Sequence, residues 1–379
     1  MYVSPWPGLT LGDLFPAKTK QAPTYPFSVA NRSSFCVARS GIYHLFRALA
    51  LAPNETVLVP DYHSGNEVAA IQAAGASIAY YPISRNLEPD LDQLARLARN
   101  GARVIYVIHY LGWSQPMKEI QALCRQYGCI LVEDCALALF SETDRQPLGS
   151  LGDYSVFCLY KTLPVPNGGV LAQNNNSLPT LSGMELQPYP HIAAAGRSAE
   201  LALETVRSRW NRIGKSLFNM KQSVGRAIRA ARVRPVPVGD IGWDIANVNI
   251  AMSGLSETII QGIDHEHIRT RRRENFTRLR SLLDGRVRML REDLDPGVCP
   301  LFFPILVANK HATAESLRQA GIEAVEFWND PQADRPLGAD ARYLRAHVLE
   351  LPIHQCVTPQ QVDYIASKIH QLKPEPALC

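Results

Sequence analysis

Short apolar segments alternate with amphipathic ones through the first half of the chain, and this alternation limits the folds open to it. Runs rich in Val, Ile and Tyr predict strands at Thr56–Pro60, Ser77–Ile83, Arg103–Tyr110 and Cys129–Glu133. Apolar residues recurring every three or four positions predict helices at 41–51, 66–74, 91–99 and 117–127. Continuous apolar strands joined by helices are typical of a parallel sheet covered on both faces. The sequence therefore predicts an α/β protein whose ligand binds beyond the carboxyl ends of the strands.

Composition excludes several other classes of protein. The 379 residues are 46% hydrophobic and 20% charged, which is typical of globular proteins rather than of disordered chains, fibres or polytopic membrane proteins. No apolar run reaches the roughly 18–20 residues that span a bilayer. The N-terminal segment lacks the basic start and apolar run of a signal peptide, so we expect a cytoplasmic protein.

The later part of the chain predicts further units. The runs FFPILV and IEAVEFW predict strands, with helices at Ala312–Ala320 and Pro359–His370. We predict a large domain over residues 1–183, a basic helical insert over 184–240, a long linking helix over 241–290 and a small C-terminal α/β domain over 291–379.

The eight cysteines contain no CxxC pair and mostly have apolar neighbours. This pattern predicts buried free thiols rather than disulfides or a metal site. His109 lies inside an apolar strand, which favours a core histidine over an acid–base group.

Two residues at predicted strand ends have the chemistry of a cofactor site. Asp134 ends one apolar strand, and Lys161 follows the next, YSVFCLY, ahead of a Gly168-Gly169 turn. A lysine leaving an apolar strand is partly desolvated, which lowers its pKa and frees its amine as a nucleophile. Pyridoxal phosphate (PLP) requires such a lysine and an acid beside its ring nitrogen. Spacing alone favours an ordinary surface pair over a cofactor site.

The wider sequence resembles a known family. The string VEDCALALFSETDRQPLGSLGDYSVFCLYKTLPVPNGG resembles the PLP segment of the DegT/DnrJ/StrS sugar aminotransferases, and RSGIYHLFRAL, TVLVPDYHSGNEV and VIHYLGWSQPMKEI resemble their other blocks. The resemblance implies PLP fold type I, with a mostly parallel seven-stranded sheet between helices and a smaller C-terminal α/β domain. It also implies a homodimer.

The resemblance assigns roles to several residues. Lys161 would be the Schiff-base lysine and proton carrier, and Asp134 the partner of the pyridinium nitrogen. Ser40 and Gly41 would bind the phosphate at a helix N-terminus. The ring-stacking residue would fall at His63 or Ser64.

Other positions depart from the family or stay open. Leu137 stands where the family has Gln or His against the phenolic oxygen, and Cys158 stands where it has a phosphate-binding Ser. His354 could contact substrate or be structural, and Tyr160 could line the pocket or pack in the core.

The resemblance implies transfer of an amino group from glutamate, or a similar donor, to a keto sugar, typically one linked to a nucleotide. One alternative is another PLP reaction on an amino acid, such as dehydration, decarboxylation or carbon–carbon bond formation. A second alternative is a non-catalytic descendant that binds a small molecule or a membrane.

Charge is concentrated in one segment. Residues 206–234 hold nine basic residues and no acidic one, whereas the whole chain is only +4. Their apolar residues recur at helical spacing, which predicts a packed helix with a basic face. A cap that attracts an anionic substrate, or a docking surface for an anionic membrane or acidic carrier protein, is the alternative. Nucleic acid is not expected, since aromatic residues are sparse and no binding motif is present.

Overall fold

A seven-stranded sheet is the centre of the molecule. The computed structural model describes residues 1–15, 23–175, 177–210, 244–329 and 337–377. The sheet has the order β1-β9-β8-β5-β4-β2-β3. Its strands are β1 (Arg32–Phe35), β2 (Thr56–Pro60), β3 (Ser77–Tyr81), β4 (Ala102–Ile108), β5 (Ile130–Asp134), β8 (Tyr154–Cys158) and β9 (Gly169–Gln173). The predicted mostly parallel α/β sheet is confirmed.

Parallel pairing brings the carboxyl ends of five strands to the same edge of the sheet. Strands β3, β2, β4, β5 and β8 pair in parallel, and only β9 and β1 run against their neighbours. Asp134 at the end of β5 pairs with Ile108 on one side and Val156 on the other. Residues that follow these strands therefore emerge at one edge of the sheet. A short hairpin of β6 (Glu142–Thr143) and β7 (Gln146–Pro147) lies between β5 and β8.

Helices connect the strands, and their apolar faces cover the sheet. Along the described chain they are α1 (Leu11–Leu14), α2 (Ala38–Leu49), α3 (Asn66–Ala73), α4 (Leu91–Arg99), α5 (Met117–Tyr127), α6 (Pro179–Ser182), α7 (His191–Arg209), α8 (Gly254–Gln261), α9 (His265–Leu283), α10 (Lys310–Gln319), α11 (Ala339–His347) and α12 (Pro359–Leu372). Among these helices, none combines the length and apolarity needed to cross a membrane.

The C-terminal part builds a smaller antiparallel sheet. Its strands are β10 (Arg288–Met289), β11 (Phe302–Leu306) and β12 (Val348–Pro352), with β11 in the middle. A separate apolar core lies beneath it, with Phe276 and Phe303 fully buried.

Two predictions for this region are wrong. IEAVEFW is not a strand, because it makes only isolated bridges at Ile322 and Val325. The single long helix predicted over 241–290 is two helices: α8 ends at Gln261, before its C-cap Gly262, and the Asp264 side chain accepts from His267 N to begin α9. The Asp264 cap begins a second helix inside the segment that periodicity predicted to be one.

The described cysteines are free, and all of them except Cys356 are buried, as the sequence predicts. Most of the basic segment falls outside the described residues. Its first residues close α7, and 211–243 follow beyond the described part. The four domain boundaries stay predictions.

Candidate functional site

A cleft opens at the carboxyl ends of β4, β5 and β8. It brings together five of the residues predicted from the sequence: Asp134, Leu137, Cys158, Tyr160 and Lys161. The other lining residues are Val37, Ala38, Arg39, Ile42, Ser64, Asn66, Glu67, Ile108, Ala136 and Trp328. A cleft at this edge is where parallel sheets bind ligands.

Asp134 is a buried carboxylate held in a fixed orientation. Its Oδ2 accepts the Tyr106 hydroxyl at 2.6 Å, and its Oδ1 accepts Ala136 N at 2.8 Å. Burial raises the pKa of Asp134 to about 6, the nearby charge of Glu67 adds to this, and Lys161 opposes it. A carboxylate oxygen accepts more than one hydrogen bond, so Asp134 retains capacity for a cationic N–H donor.

Lys161 reaches the cleft because β8 turns into a 3₁₀ segment, Leu159–Lys161, that redirects the chain. Leu159 N donates to Gly168 O at 3.0 Å, which fixes this turn against the glycine pair. Lys161 is buried, and its Nζ lies 5.3 Å from the centroid of the Phe327 ring. The amine is therefore held out of bulk water, near a carboxylate.

The N-terminus of α2 forms a third wall. Val37, Ala38 and Arg39 line the cleft there, whereas Ser40 N donates to Val37 O at 3.2 Å within the first turn. A Cβ on Gly41 would lie 3.3 Å from Leu171 Cβ, so Gly41 faces the sheet. The structure places Ser40 and Gly41 behind the residues that line the cleft.

Close packing against β9 holds this helix end in place. A Cβ on Gly169 would lie 2.3 Å from Ala38 N, so only glycine permits the approach. The Gly168-Gly169 turn therefore lets β9 approach the helix that faces the lysine across the cleft.

The loop after β2 presents Ser64 rather than His63 to the cleft. The His63 ring is buried and stacks on Tyr80, with 5.5 Å between the ring centroids. Ser64 N donates to Glu67 Oε1 at 2.7 Å, and its hydroxyl donates to Glu67 Oε2. Of the two residues predicted to stack on the cofactor ring, it is therefore Ser64 and not His63 that lines the cleft.

His354 lies in a different cavity from Lys161, beside Ser4 and Gln361. Its Nε2 is 3.0 Å from Ser4 O, and its Nδ1 accepts from Cys356 N at 3.3 Å. Burial lowers the pKa of His354 to about 3, so the ring is neutral with its proton on Nε2. These contacts favour the structural reading of His354.

His109 is a core residue, as the sequence indicates. Its Nε2 lies 2.9 Å from Glu133 Oε2, and its Nδ1 accepts from Gln115 N. Glu133 also accepts backbone N–H groups of Gly149 and Leu151. Cys135 lies close enough to complete a metal-like trio. The hydrogen bonds account for this cluster without an ion.

Sequence reasoning missed several residues of the cleft, among them Arg39, Glu67 and Trp328. Arg39 directly precedes Ser40, and Glu67 comes three residues after Ser64, so the amphipathic pattern of their helices could have found them. Trp328 comes from the C-terminal part, and no motif singles it out.

The fold is that of PLP fold type I aminotransferases. Similar solved structures include an aminotransferase from Brucella abortus (TM-score 0.63, 16% identity, 91% of this chain and 86% of that one). Helicobacter pylori PseC, an aminotransferase of pseudoaminic acid biosynthesis, gives a TM-score of 0.66 at 17% identity over 97% of each chain. Spr1654 of Streptococcus pneumoniae, solved in its PLP form, gives 0.68 at 16% identity over 98% of this chain and 99% of that one.

Residues 30–182 match the DegT/DnrJ/EryC1/StrS aminotransferase family, which confirms the resemblance predicted from the sequence. The GDP-perosamine synthase of Vibrio cholerae is 25% identical over 132 residues, 34% of this chain and 36% of that protein. A dTDP-4-dehydro-2,3,6-trideoxy-D-glucose 4-aminotransferase of Saccharopolyspora spinosa is 30% identical over 137 residues, 35% and 36% of the two chains. The aligned segment spans little more than a third of either relative.

Proposed function

We propose that the chain is a PLP-dependent aminotransferase that moves an amino group from an amino-acid donor, such as glutamate, to a keto sugar. The observation that carries this proposal is the pairing of buried Asp134 and Lys161 in one cleft at the strand ends. The match of residues 30–182 to an aminotransferase family supports it.

The residues present fit the cofactor at its ring nitrogen, its aldehyde carbon and its phosphate. Asp134 offers an oriented carboxylate to the ring nitrogen, and Lys161 offers the amine that would attach to the aldehyde carbon. The N-terminus of α2, with the Arg39 guanidinium, offers positive charge to a phosphate. Leu137 offers no hydrogen bond to the phenolic oxygen, so that point is unmatched.

Bound PLP supplies an electron sink for a carbanion at the substrate carbon. The Lys161 side chain lines the cleft, and we propose that its Nζ moves the proton to and from the substrate carbon. Asp134 keeps the ring nitrogen protonated by holding a negative charge beside it. The cleft walls hold the Lys161 amine away from bulk water.

The acceptor we propose is a nucleotide-linked keto sugar. The relatives from Vibrio cholerae and Saccharopolyspora spinosa are named as enzymes of nucleotide-linked sugars, which supports this class of acceptor. A second candidate is another PLP reaction on an amino-acid substrate. Leu137 favours it, because a ring without a donor at its phenolic oxygen has different electronics.

An absorbance spectrum of purified protein with added PLP tests the proposal. We expect a near-visible band that is lost in Lys161→Ala and retained in Lys118→Ala, whose side chain is exposed. Glutamate should bleach the band, and a keto sugar nucleotide should restore it. A protein that stays colourless with PLP contradicts the proposal. A band that glutamate leaves unchanged favours the second candidate.

We further propose that the chain acts as a homodimer and that residues 206–234 contact an anionic membrane or an acidic carrier protein. Family resemblance supports the dimer, and the nine basic residues support the contact. The free buried thiols agree with a cytoplasmic location.

A further inference from the structure

Trp328 brings an aromatic side chain of the C-terminal part into the candidate site. It lines the cleft with Lys161 and Leu137. Its ring packs edge-on against Tyr62 at 4.4 Å and against Tyr110 at 5.7 Å, measured between centroids. The indole is therefore wedged between the loop after β2 and the strand ends.

The indole N–H of Trp328 has no acceptor among the described residues. Its Nε1 is buried from solvent and makes no hydrogen bond there. Trp113 differs, since its Nε1 donates to Asp293 O at 3.2 Å. A buried donor without an acceptor costs free energy, and folded proteins rarely leave one unless it has a use.

The backbone at Trp328 is held in a conformation that it would not adopt freely. Its φ is +56°, in the left-handed region that bulky residues avoid. Three contacts impose this geometry: Lys310 Nζ donates to Phe327 O at 2.8 Å, Phe327 N donates to Glu350 Oε2 at 3.3 Å, and Arg345 Nη1 donates to Trp328 O at 2.7 Å. Strain that surroundings enforce in this way is typical of functional sites.

We propose that the indole N–H of Trp328 donates a hydrogen bond to an oxygen of the small molecule bound in this cleft, and so fixes the ligand's orientation. The inference rests on the proposed function for the ligand's class. The oxygen belongs either to the cofactor or to the amino-acid donor, both of which carry anionic oxygens. Leu137 and Cys158 also line the cleft, but leucine has no hydrogen-bond donor and the cysteine thiol is a weak one. The Trp328 indole is therefore the better donor for a ligand oxygen near them.

Indole N–H resonances in ¹⁵N NMR test this directly. Trp328→Phe identifies the resonance, and Trp210→Phe, at an exposed position, identifies a control resonance that should not respond. A downfield shift of the Trp328 signal on adding PLP alone assigns the oxygen to the cofactor. A shift that appears only after glutamate is added assigns it to the amino donor. An unchanged signal in both mixtures, in protein whose absorbance band shows bound PLP, overturns the inference but leaves the proposed function standing.

Trp328→Phe also separates ligand binding from packing. Phenylalanine keeps an aromatic ring but removes the unpaired donor, so the cofactor-free variant should unfold at about the parent's denaturant concentration. Its dissociation constant for the ligand that shifts the signal should rise about tenfold, the effect of one lost hydrogen bond to a charged oxygen. Equal affinity of the two proteins overturns the inference, and the absence of any PLP band overturns it together with the proposed function.

Discussion

Asp134 is unfavourably placed in the cofactor-free protein, and this is measurable. Burial raises its pKa from the ordinary value of 3.8 to about 6, so the folded state binds the proton more tightly than the unfolded state. The free energy of unfolding should therefore fall as pH rises through this window. A cationic ring nitrogen would reverse the cost, because it pairs with the charged form.

Asp134→Asn should stabilise the cofactor-free protein by about 1–3 kcal/mol at about pH 8, because Asn carries no buried charge. Near pH 4 the gain should vanish, since the parent carboxyl is then protonated. PLP should stabilise the parent but not the variant. Urea unfolding at both pH values measures this, with the exposed Asp92→Asn as a control expected to change little. A variant less stable than the parent at pH 8 would refute the argument.

The sequence could not predict which side chains of the site face the cleft. The sequence suggested Ser40 and Gly41 at the phosphate end, but α2 begins at Ala38 behind a Val37 cap. Valine gives no N-cap signal, so nothing in the sequence marked the true start. The choice between His63 and Ser64 likewise depends on which side chain points outward, which alternation in a loop cannot decide.

At the scale of the elements, the junction between β9 and α2 is closely packed. Gly169→Ala would drive a Cβ into the backbone of Val37 and Ala38, and we expect a loss of about 3 kcal/mol or more in the free energy of unfolding. The matched control is Gly196→Ala on α7, where no atom lies within 4 Å of the new Cβ. It should gain about 0.5–1 kcal/mol from helix propensity. Similar effects at the two positions would contradict this account.

The failed strand prediction at IEAVEFW has a physical cause in its neighbours. Lys310 and Glu350 side chains take the carbonyl and N–H of Phe327 that a strand partner would use. The apolar composition correctly predicts that the segment is buried, but it does not predict which groups form hydrogen bonds with its backbone. By contrast, the strands of the large sheet are paired throughout, so their composition and their structure agree.

Lys310 and Glu350 are buried groups of opposite charge beneath this segment, and each bonds to the Phe327 backbone. Burial raises the pKa of Glu350 to about 7, while Lys310 opposes the shift. Lys310→Met should destabilise the protein by about 3–5 kcal/mol at pH 9, because it leaves a buried charge uncompensated. At pH 6 the loss should be smaller, since Glu350 can then be protonated. Denaturant unfolding of Lys310→Met and of Lys310→Met/Glu350→Gln measures this. The double variant should recover most of the loss, and no recovery would refute the pairing.

At the scale of the whole molecule, periodicity predicted the α/β architecture because each buried strand needs continuous apolar residues. The sequence also predicted which strand ends carry Asp134 and Lys161. It could not predict that Trp328, nearly 170 residues after Lys161 in the chain, completes their cleft. Contacts between distant parts of a chain depend on tertiary packing, which local patterns do not encode.

The charge distribution of the whole molecule predicts a salt-sensitive attachment. The chain apart from residues 206–234 is net negative, whereas that segment is strongly basic. We expect co-sedimentation with anionic but not zwitterionic vesicles, weakening as salt rises. Replacing the arginines of 226–234 with glutamine should abolish it without altering the PLP band. Equal binding of both proteins would contradict this role.

Arg345 joins the two halves of the cleft with a single guanidinium group. One arm donates to Trp328 O at 2.7 Å and the other to His63 O at 2.5 Å, so α11 is tied to the loop after β2. A ligand bound between Lys161 and Trp328 would stabilise the two hydrogen bonds of Arg345. Amide hydrogen exchange should therefore slow along α11 and β12, whose residues lie outside the cleft, when the ligand binds.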